Sequence, residues 1–207
     1  MDPDWLKWAK HLQAISQTGL HFSDNIYDIE RYRQVRDIAA DILSTYGCSD
    51  KDFVLDLFKN QSGYATPKVD VRGVVFRDSK LLLVREILDN DRWTLPGGWA
   101  DVNESPSEAI EREIFEESGF ITKAVKLLAV YDRSRQGHIP PLPFHVYKLF
   151  FLCEIIKGEA TPSVETSEVG FFPESQVPEL SISRVNSGQI TRFFGHYHHP
   201  DWPTDFD

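Results

Sequence analysis

The chain has 207 residues, of which 41% are hydrophobic, so its length allows one ordinary domain and a small addition. Its formal net charge is −10, and its Lys and Arg residues form no cluster of the kind that binding to a nucleic acid backbone requires. We therefore expect no nucleic acid as the main partner, whereas metal ions could still bridge an acidic protein to a small phosphorylated substrate.

The first 60 or so residues have the apolar periodicity of helices. Apolar side chains recur at spacings of three and four in the first segment, at Trp5, Trp8, Ala9, Leu12 and Ile15. This pattern predicts one helix that ends near Gly19 and a second, capped by Ser23, that ends at 46–47. A third is expected from 49 or 50 to about 59, and it is predicted to bury Phe53, Val54, Leu57 and Phe58. We interpret the aromatic residues of all three helices as core residues.

Residues 60–67 have the composition of a turn and mark a boundary between two predicted domains, 1–64 and 65–207. Beyond the boundary the pattern is typical of strands, with a hairpin formed by 69–76 and 81–87. Further strands are expected at 126–131, 145–156 and 169–172, followed by a helix at 185–196. These elements predict an α+β protein with a mixed β-sheet, preceded by a small all-helical N-terminal subdomain.

The segment 105–119 predicts a helix with marked ends. Ser105 is expected to cap it, Pro106 to occupy its first position and Glu108 to complete a capping box, while Gly119 ends it. From this start, three carboxylates project from neighbouring positions on one side of the helix, at Glu113, Glu116 and Glu117.

Two interpretations of these carboxylates compete. A solvated acidic face is possible, because like charges at this spacing cost only about 0.2–0.5 kcal/mol per pair. The preceding glycines, Gly97 and Gly98, favour a metal site instead, since they can bring bare backbone carbonyls beside the carboxylates. Hard oxygen ligands of this kind suit Mg²⁺ or Mn²⁺.

A divalent metal at this helix predicts water attack on a diphosphate. Arg112 is expected to orient a glutamate by a charge-assisted contact, and Glu104 to fix the geometry between loop and helix. The base that deprotonates the water stays open among Glu113 and two acids predicted on the loop before 171–172, Glu165 and Glu168.

The two cysteines, Cys48 and Cys153, lie far apart without metal-type spacing, which predicts reduced thiols in a cytoplasmic protein. Residues 1–5 lack the basic and apolar regions of a signal peptide. Since no apolar run reaches membrane-spanning length either, we expect no membrane partner.

Residues 98–120 fit the Nudix box at each defined position: Gly98, Glu104, Arg112, Glu113, Glu116, Glu117 and Gly119, with apolar Ile114 and Phe120. The chain thus resembles the Nudix hydrolases over about 67–180. With its helical N-terminal segment and residues 63–72, it is similar to a bacterial subfamily of CDP-choline and ADP-ribose pyrophosphatases. Asn103 departs from the glycine usual there, but asparagine tolerates unusual backbone angles.

This resemblance implies an α/β/α sandwich, dependence on Mg²⁺ or Mn²⁺, a small nucleotide substrate and a homodimer. It also implies that the N-terminal helices contribute to the dimer or cover the active site. The expected activity is hydrolysis of a nucleoside diphosphate linked to another group, of CDP-choline or ADP-ribose type. Two alternatives are a catalytically silent nucleotide sensor and a nucleoside triphosphate pyrophosphohydrolase.

Five residues are candidates for contacts with the substrate. Arg133 and Arg135 could meet phosphate or ribose, and Tyr131 could stack on a base. Arg72 and Arg85 are further candidate cations. The alternative for the segment 131–135 is a polar surface loop, and for Tyr131 it is packing.

Overall fold

The computed structural model describes residues 2–47 and 49–207, so the prediction of a reduced thiol at Cys48 lies outside the described residues. The chain divides into two compact units. The helical unit comprises Met1–Pro67 and Pro141–His145, and the sheet unit comprises Lys68–Pro140 and Val146–Asp207. The domain bounds 1–64 and 65–207 stay a prediction from the sequence.

The helical unit contains α1 (Asp4–Phe22), α2 (Ile26–Gly47) and α3 (Lys51–Lys59). The Asp50 carboxylate accepts a hydrogen bond from the Phe53 backbone N–H at 3.0 Å, which confirms the predicted start of α3. Small and branched side chains, together with one aromatic ring, fill the core between the helices: Leu6, Ala9, Ala39, Ala40, Leu43, Val54 and Phe58.

Two predicted helix ends are wrong. α1 continues through Gly19 to Phe22, because Gly19 serves close packing: a Cβ atom there would lie 2.4 Å from the Tyr32 ring. The cap of α2 is Asn25 rather than Ser23, since its side-chain oxygen accepts from the Tyr27 N–H at 2.9 Å.

The predicted burial of the aromatic residues is confirmed for Phe58 but wrong for several others in this unit. Trp8 keeps 61% of its surface exposed and Phe53 keeps 60%. Alanines at 39 and 40 of α2 let the helices approach closely, so the larger rings lie outside the contact.

The strands of the sheet unit are β1 (Lys68–Arg77), β2 (Lys80–Glu86), β3 (Arg92–Thr94), β4 (Phe120–Asp132), β5 (Val146–Gly158), β6 (Thr166–Phe172) and β7 (Asp205–Phe206). They form a mixed sheet in the order β3-β2-β1-β5-β4-β7, with β6 also paired to β2. β1 runs parallel to β5 and antiparallel to β2. The predicted hairpin is confirmed, and its turn residues Asp78 and Ser79 both have positive φ, as a tight hairpin requires.

Helices cover both faces of the sheet. On one face α4 (Pro106–Ser118) packs Ala109, Ile110 and Ile114 into the sheet. On the other face α5 (Ser187–His198) contributes Phe193 and Phe194 to a second core. The predicted α+β class, with an α/β/α sandwich and a preceding helical segment, is therefore confirmed.

The C-terminal segment is folded against the sheet unit. Asp205 accepts from the Arg192 guanidinium and lies 3.0 Å from His196 Nε2. His196 is buried, whereas His198 and His199 are exposed. Cys153 is a free, buried cysteine, and burial raises the pKa of its thiol to about 12. Within the described residues, each helix is too short or too polar to cross a membrane.

Candidate active site

The start of α4 is fixed locally. Ser105 Oγ accepts from the Glu108 N–H at 3.3 Å, and the Glu108 carboxylate accepts from the Ser105 N–H at 2.8 Å. Asn103 has a φ of 69° and Gly119 a φ of 77°, so both tolerate the left-handed backbone that their positions need. The predicted capping box and helix end are confirmed, and they set the positions of the box carboxylates.

Glu117 is a buried carboxylate, with 4% of its surface exposed. Its Oε2 accepts from the Gly97 backbone N–H at 2.9 Å. Its pKa is raised to about 8, because burial and the nearby charges of Glu86 and Glu113 raise the pKa by more than Arg72 and the Gly97 N–H lower it. The ionised form of Glu117 therefore lacks full compensation within the protein.

The loop before the helix depends on two glycines. Gly97 has a φ of 140°, and a Cβ atom there would lie 2.1 Å from the Val71 carbonyl oxygen. A Cβ atom at Gly98 would lie 2.9 Å from Glu113 Oε2. The loop is fastened to β1, since the Val71 N–H donates to the Gly98 carbonyl at 2.8 Å. The glycines thus let backbone approach both the strand and the carboxylates.

Arg112 gathers three carboxylates. Its Nε donates to Glu104 at 2.9 and 3.1 Å, and its Nη1 donates to Glu113 at 3.0 Å and to Glu116 at 2.9 Å. Burial raises the pKa of Glu113, and Arg112 opposes that shift. The contacts expected of Arg112 and Glu104 are thus present: Arg112 links the residue before the helix to the acidic face.

The donor set of this helix fits a hard divalent cation. Within the described residues, no three His, Cys, Asp or Glu side chains lie close enough together to hold a metal as they stand. Arg112 occupies oxygens of Glu113 and Glu116, so these side chains would have to turn from it toward Glu117. The carboxylates share one side of α4, and among the residues that the structure describes buried Glu117 has no ion-pair partner of its own, which suits an oxygen-coordinated cation.

The two glycines do not present their backbone carbonyls to the carboxylates in the way that the sequence analysis expected. It is the N–H of Gly97 that faces Glu117, and the Gly98 carbonyl accepts from Val71. Ligation by the carbonyls of Gly97 and Gly98 stays a prediction.

Sequence reasoning missed a buried charge network behind the site. Arg72 donates to both Asp70 oxygens, at 3.0 and 2.9 Å, and to the Leu95 carbonyl at 3.2 Å. Lys148 Nζ lies 2.5 Å from Asp70 Oδ1, and burial lowers the pKa of Lys148 to about 8. A lysine amid the apolar run 146–153 was the signal in the sequence. Arg72, a candidate substrate contact, is thus buried and bonded within the protein.

Glu165 and Glu168 differ in their surroundings. Glu168 lies within β6 rather than on a loop, opposite Arg85, whose guanidinium donates to it at 3.0 Å. Arg85, a candidate substrate contact, is therefore paired with Glu168, a candidate general base. Glu165 is exposed just before β6 and adds to the negative charge around Glu86, which in turn faces Glu117.

The segment 131–135, which spans the end of β4 and the turn after it, has both buried and exposed candidates. Tyr131 donates to Asp205 at 3.3 Å, and burial raises its pKa to about 12. Arg133 is buried and donates to the carbonyls of Pro140 and Ser183 at 2.8 and 3.2 Å. Arg135 is exposed and lies 3.6 Å from Asp132. Tyr131 and Arg133 therefore fasten this loop, and Arg135 faces solvent.

A layered mixed sheet and a glutamate-rich helix behind a glycine loop are the features of one family of hydrolases. Residues 66–193 match the NUDIX domain family, and residues 3–58 match the family described as "UDP-X-like, N-terminal oligomerisation domain". The chain belongs to the Nudix family and is a Nudix pyrophosphatase, as the box predicted. Nudix hydrolases generally use divalent metal ions.

Two similar proteins match nearly the whole chain, and a third matches about two thirds of it. A Bacillus subtilis (strain 168) protein named "Putative ADP-ribose pyrophosphatase YjhB" is 42% identical over 203 residues, 98% of this chain and 97% of that protein. A crystal structure of a UDP-X diphosphatase is 34% identical with a TM-score of 0.63, covering 99% of this chain and 98% of that one. An ADP-ribose pyrophosphatase from Streptococcus suis 89-1591 is 34% identical with a TM-score of 0.62, covering 69% and 100%.

Proposed function

We propose that the chain hydrolyses the diphosphate bond of a nucleoside diphosphate linked to a sugar or a similar group. The observation that carries this proposal is the uncompensated, buried Glu117 beside Glu113, on a helix that faces a glycine loop. Such a site suits a cation that in turn holds a diphosphate. ADP-ribose and UDP-linked compounds are the first substrates to test, because full-length relatives are named for them. CDP-choline, expected from the sequence, is the third.

Glu113, Glu116 and Glu117 would hold Mg²⁺ or Mn²⁺, with Gly97 and Gly98 as the neighbouring backbone. Bound there, the metal would offset phosphate charge and lower the pKa of a bound water. Arg112 keeps Glu113 and Glu116 close together through its two Nη1 contacts. Gly97 fixes the rotamer of Glu117 through its N–H. Glu117 is thus held in place in advance, whereas Glu113 and Glu116 would turn from Arg112 toward it when the metal binds.

Glu165 is the proposed general base. Glu168 is paired with Arg85 and Glu113 with Arg112, whereas Glu165 is exposed at the end of β6 nearest Glu86. Glu165 would take the proton as the water oxygen bonds to phosphorus and the bridging P–O bond breaks. Two phosphorylated products leave.

Arg135 is the proposed contact to substrate phosphate, because it is exposed and its ion pair with Asp132 is long. Three further residues are proposed to position segments of the site without contacting the substrate. Arg72 holds the 95–98 loop, and Arg133 and Tyr131 hold the 131–135 segment. Arg85 is proposed to position Glu168.

We further propose that the protein is a homodimer that acts in the cytoplasm. The dimer rests on the match of residues 3–58 to an oligomerisation domain. The compartment rests on the free, buried thiol of Cys153, which suits a reducing environment.

The test is phosphate release, coupled to a phosphatase, from ADP-ribose, UDP-sugars, CDP-choline and nucleoside triphosphates with Mg²⁺ or Mn²⁺. We expect metal-dependent cleavage of one diphosphate above the others, and its loss in Glu117→Gln. Tight nucleotide binding without turnover would contradict the proposal in favour of a sensor. Pyrophosphate released from a triphosphate would favour the pyrophosphohydrolase.

A further inference from the structure

Trp99 is a half-exposed aromatic residue beside the carboxylates of the candidate active site. It follows Gly98, where a Cβ atom would lie 2.9 Å from Glu113 Oε2. Consecutive Cα atoms are about 3.8 Å apart, so the backbone of Trp99 lies one residue from the acidic face of α4. Its side chain keeps 50% of its surface exposed. The loop therefore places a large ring, open to solvent, at the edge of the site.

The backbone on both sides of Trp99 is bonded to β1. The carbonyl of the residue before it accepts from the Val71 N–H at 2.8 Å, and the N–H of the residue after it donates to the Val69 carbonyl at 3.0 Å. These two bonds bracket an antiparallel bridge in which Trp99 lies directly opposite Asp70. Bonds in this arrangement hold the two Cα atoms of the pair about 4.5 Å apart. Trp99 is thus held by the sheet, and its position does not have to be ordered by a ligand.

The same bridge decides the direction of the side chain. Residues directly opposite in an antiparallel pair point to the same face of the sheet, and neighbours along the chain point to opposite faces. Ala100 packs against the core beneath α4, so Trp99 points to the other face, which is the face of Asp70. The side chains of Trp99 and Asp70 are therefore neighbours at the end of the sheet where β1 begins.

The polar groups next to Trp99 are already paired within the protein. Asp70 accepts two N–H groups of Arg72, at 3.0 and 2.9 Å, and the ammonium group of Lys148 at 2.5 Å. Arg72 and Lys148 are both buried. These three residues therefore have little hydrogen-bonding capacity left for a ligand, whereas the ring of Trp99 offers an open apolar surface.

Trp93, on the preceding strand β3, serves as a comparison. Its ring packs edge-on against Phe172, with the two centroids 4.7 Å apart, and it contacts the core beneath α5. Core packing thus accounts for Trp93. It accounts for Trp99 only in part, because half of the Trp99 side chain stays in water although its backbone is fixed.

We propose that Trp99 stacks on the nucleobase of the substrate. The diphosphate would lie at the carboxylates of α4, and the nucleoside attached to it would extend over the neighbouring ring. Each nucleobase has a π face, so stacking on an aromatic side chain gives affinity without reading a hydrogen-bond pattern. Trp99 would therefore hold adenine and uracil alike, and the larger adenine more tightly because more apolar surface is covered. The inference rests on the proposed hydrolysis and names the residue that holds the nucleoside.

The first experiment compares Trp99→Leu with Trp99→Phe in steady-state kinetics of the full chain. Leucine keeps an apolar side chain next to Asp70 but has no π face, whereas phenylalanine keeps one. We expect Trp99→Leu to raise KM by ~5–100-fold with kcat nearly unchanged, and Trp99→Phe to stay within ~3-fold of the parent chain. Phe206→Leu is the matched control and should leave KM unchanged, since Phe206 is an exposed ring on the edge strand β7.

The second experiment separates the base from the rest of the nucleotide. Calorimetry measures the binding of AMP, UMP and ribose 5-phosphate, each with Mg²⁺. Trp99→Leu should weaken AMP and UMP, with the larger loss for AMP, and leave ribose 5-phosphate unchanged. Tryptophan fluorescence gives an independent signal, because AMP should quench the parent chain, whereas Trp99→Phe should bind AMP without that quenching.

Urea denaturation of each variant separates stacking from a structural role. An unchanged KM in folded Trp99→Leu would overturn the stacking and leave the hydrolysis intact. A raised KM in both Trp99 variants, with a loss of stability in both, would overturn it in favour of a cover over Asp70. Equal weakening of AMP and ribose 5-phosphate would overturn the assignment to the base.

The parent chain itself decides between the two proposals. If it cleaves no diphosphate, the proposed hydrolysis fails, and the AMP and UMP titrations of the variants still test Trp99. Failure of the parent chain to bind either nucleotide would overturn the stacking as well.

Discussion

The Gly97 backbone N–H donates to Glu117 Oε2 at 2.9 Å, which joins the loop after β3 to the buried carboxylate of α4. The donor can reach this position only because Gly97 has no Cβ atom. Loop and helix are therefore one unit in the active site, although twenty residues separate the two partners in sequence.

Replacing Gly97 by alanine should damage both stability and activity. The new Cβ atom would lie 2.1 Å from the Val71 carbonyl, at a φ of 140° that side chains rarely adopt. We expect a loss of at least ~2 kcal/mol in the free energy of unfolding, measured by urea denaturation, and of most turnover. Gly63→Ala is the control, since Gly63 also has a positive φ but faces open space. Equal effects of the two substitutions would contradict the role of Gly97.

Glu117→Gln should lower turnover while stabilising the metal-free protein at pH 8. In the folded state the pKa of Glu117 is about 8 against an ordinary 4.5, so the folded protein binds a proton that the unfolded chain releases in this range. The stability of the parent chain should therefore fall as pH rises from about 4.5 to 8, by up to ~4 kcal/mol. Glu117→Gln should flatten that part of the curve, as measured by urea denaturation in a chelator.

The same variant should lose at least ~100-fold in kcat, because it removes a proposed metal ligand. Glu116→Gln serves as the comparison, since Glu116 is exposed and should affect kcat without the gain in stability. Full activity in both variants would refute the metal assignment.

Arg112→Lys should lower kcat by ~10–100-fold, because an ammonium group cannot bind Glu104, Glu113 and Glu116 together as the guanidinium does. Glu104→Gln breaks one arm of the same contact, so the two substitutions together should cost less than the sum of their separate effects. Steady-state kinetics of the four proteins provide the measurement, and strict additivity would argue that Arg112 and Glu104 act independently.

Glu165→Gln should reduce kcat by ~10²-fold or more while KM changes little, if Glu165 is the base. Glu168→Gln should stay within a few-fold of the parent chain, because Glu168 pairs with Arg85 on β2. The two acids lie three residues apart and are both exposed, which makes them a matched pair. The reverse ranking of the two variants would move the role of base to Glu168.

Asp70→Asn should destabilise the sheet unit by ~3–5 kcal/mol, since it leaves Arg72 and Lys148 buried without their shared anion. Adding Lys148→Met should recover part of this loss by removing one of the two buried cations. Urea denaturation of the single and double variants measures the recovery, and a further loss in the double variant would contradict the network.

Helix α4, which carries the Nudix box, could be predicted because the residues that start and end it lie within or next to it in sequence. Ser105, Pro106 and Glu108 start the helix, Gly119 ends it, and spacings of three and four place the carboxylates on one side. The hairpin of β1 and β2 follows in the same way from the residues of its turn. The resemblance to the Nudix hydrolases then extended these local features to a fold, the α/β/α sandwich, while apolar spacing alone predicted the preceding helices.

Residue spacing gave wrong predictions for the burial of Trp8 and for the end of α1, because both depend on what packs against these residues. Trp8 has the spacing of a core residue, but Ala39 and Ala40 bring α2 so close that smaller side chains fill the contact. Glycine is typical of a helix end, but Gly19 lies within α1, where its lack of a side chain lets the Tyr32 ring pack against the helix.

The sequence by itself determined the family, the acidic helix and its caps, since each depends on residues a few positions apart. Only the tertiary structure decided which charges neutralise one another. Asp70 meets Lys148 across 78 positions because β1 and β5 pair in parallel with these two residues in register. The antiparallel pairing of β2 with β6 likewise placed Arg85 opposite Glu168. Such contacts follow from strand register, which the order of residues along one strand does not specify.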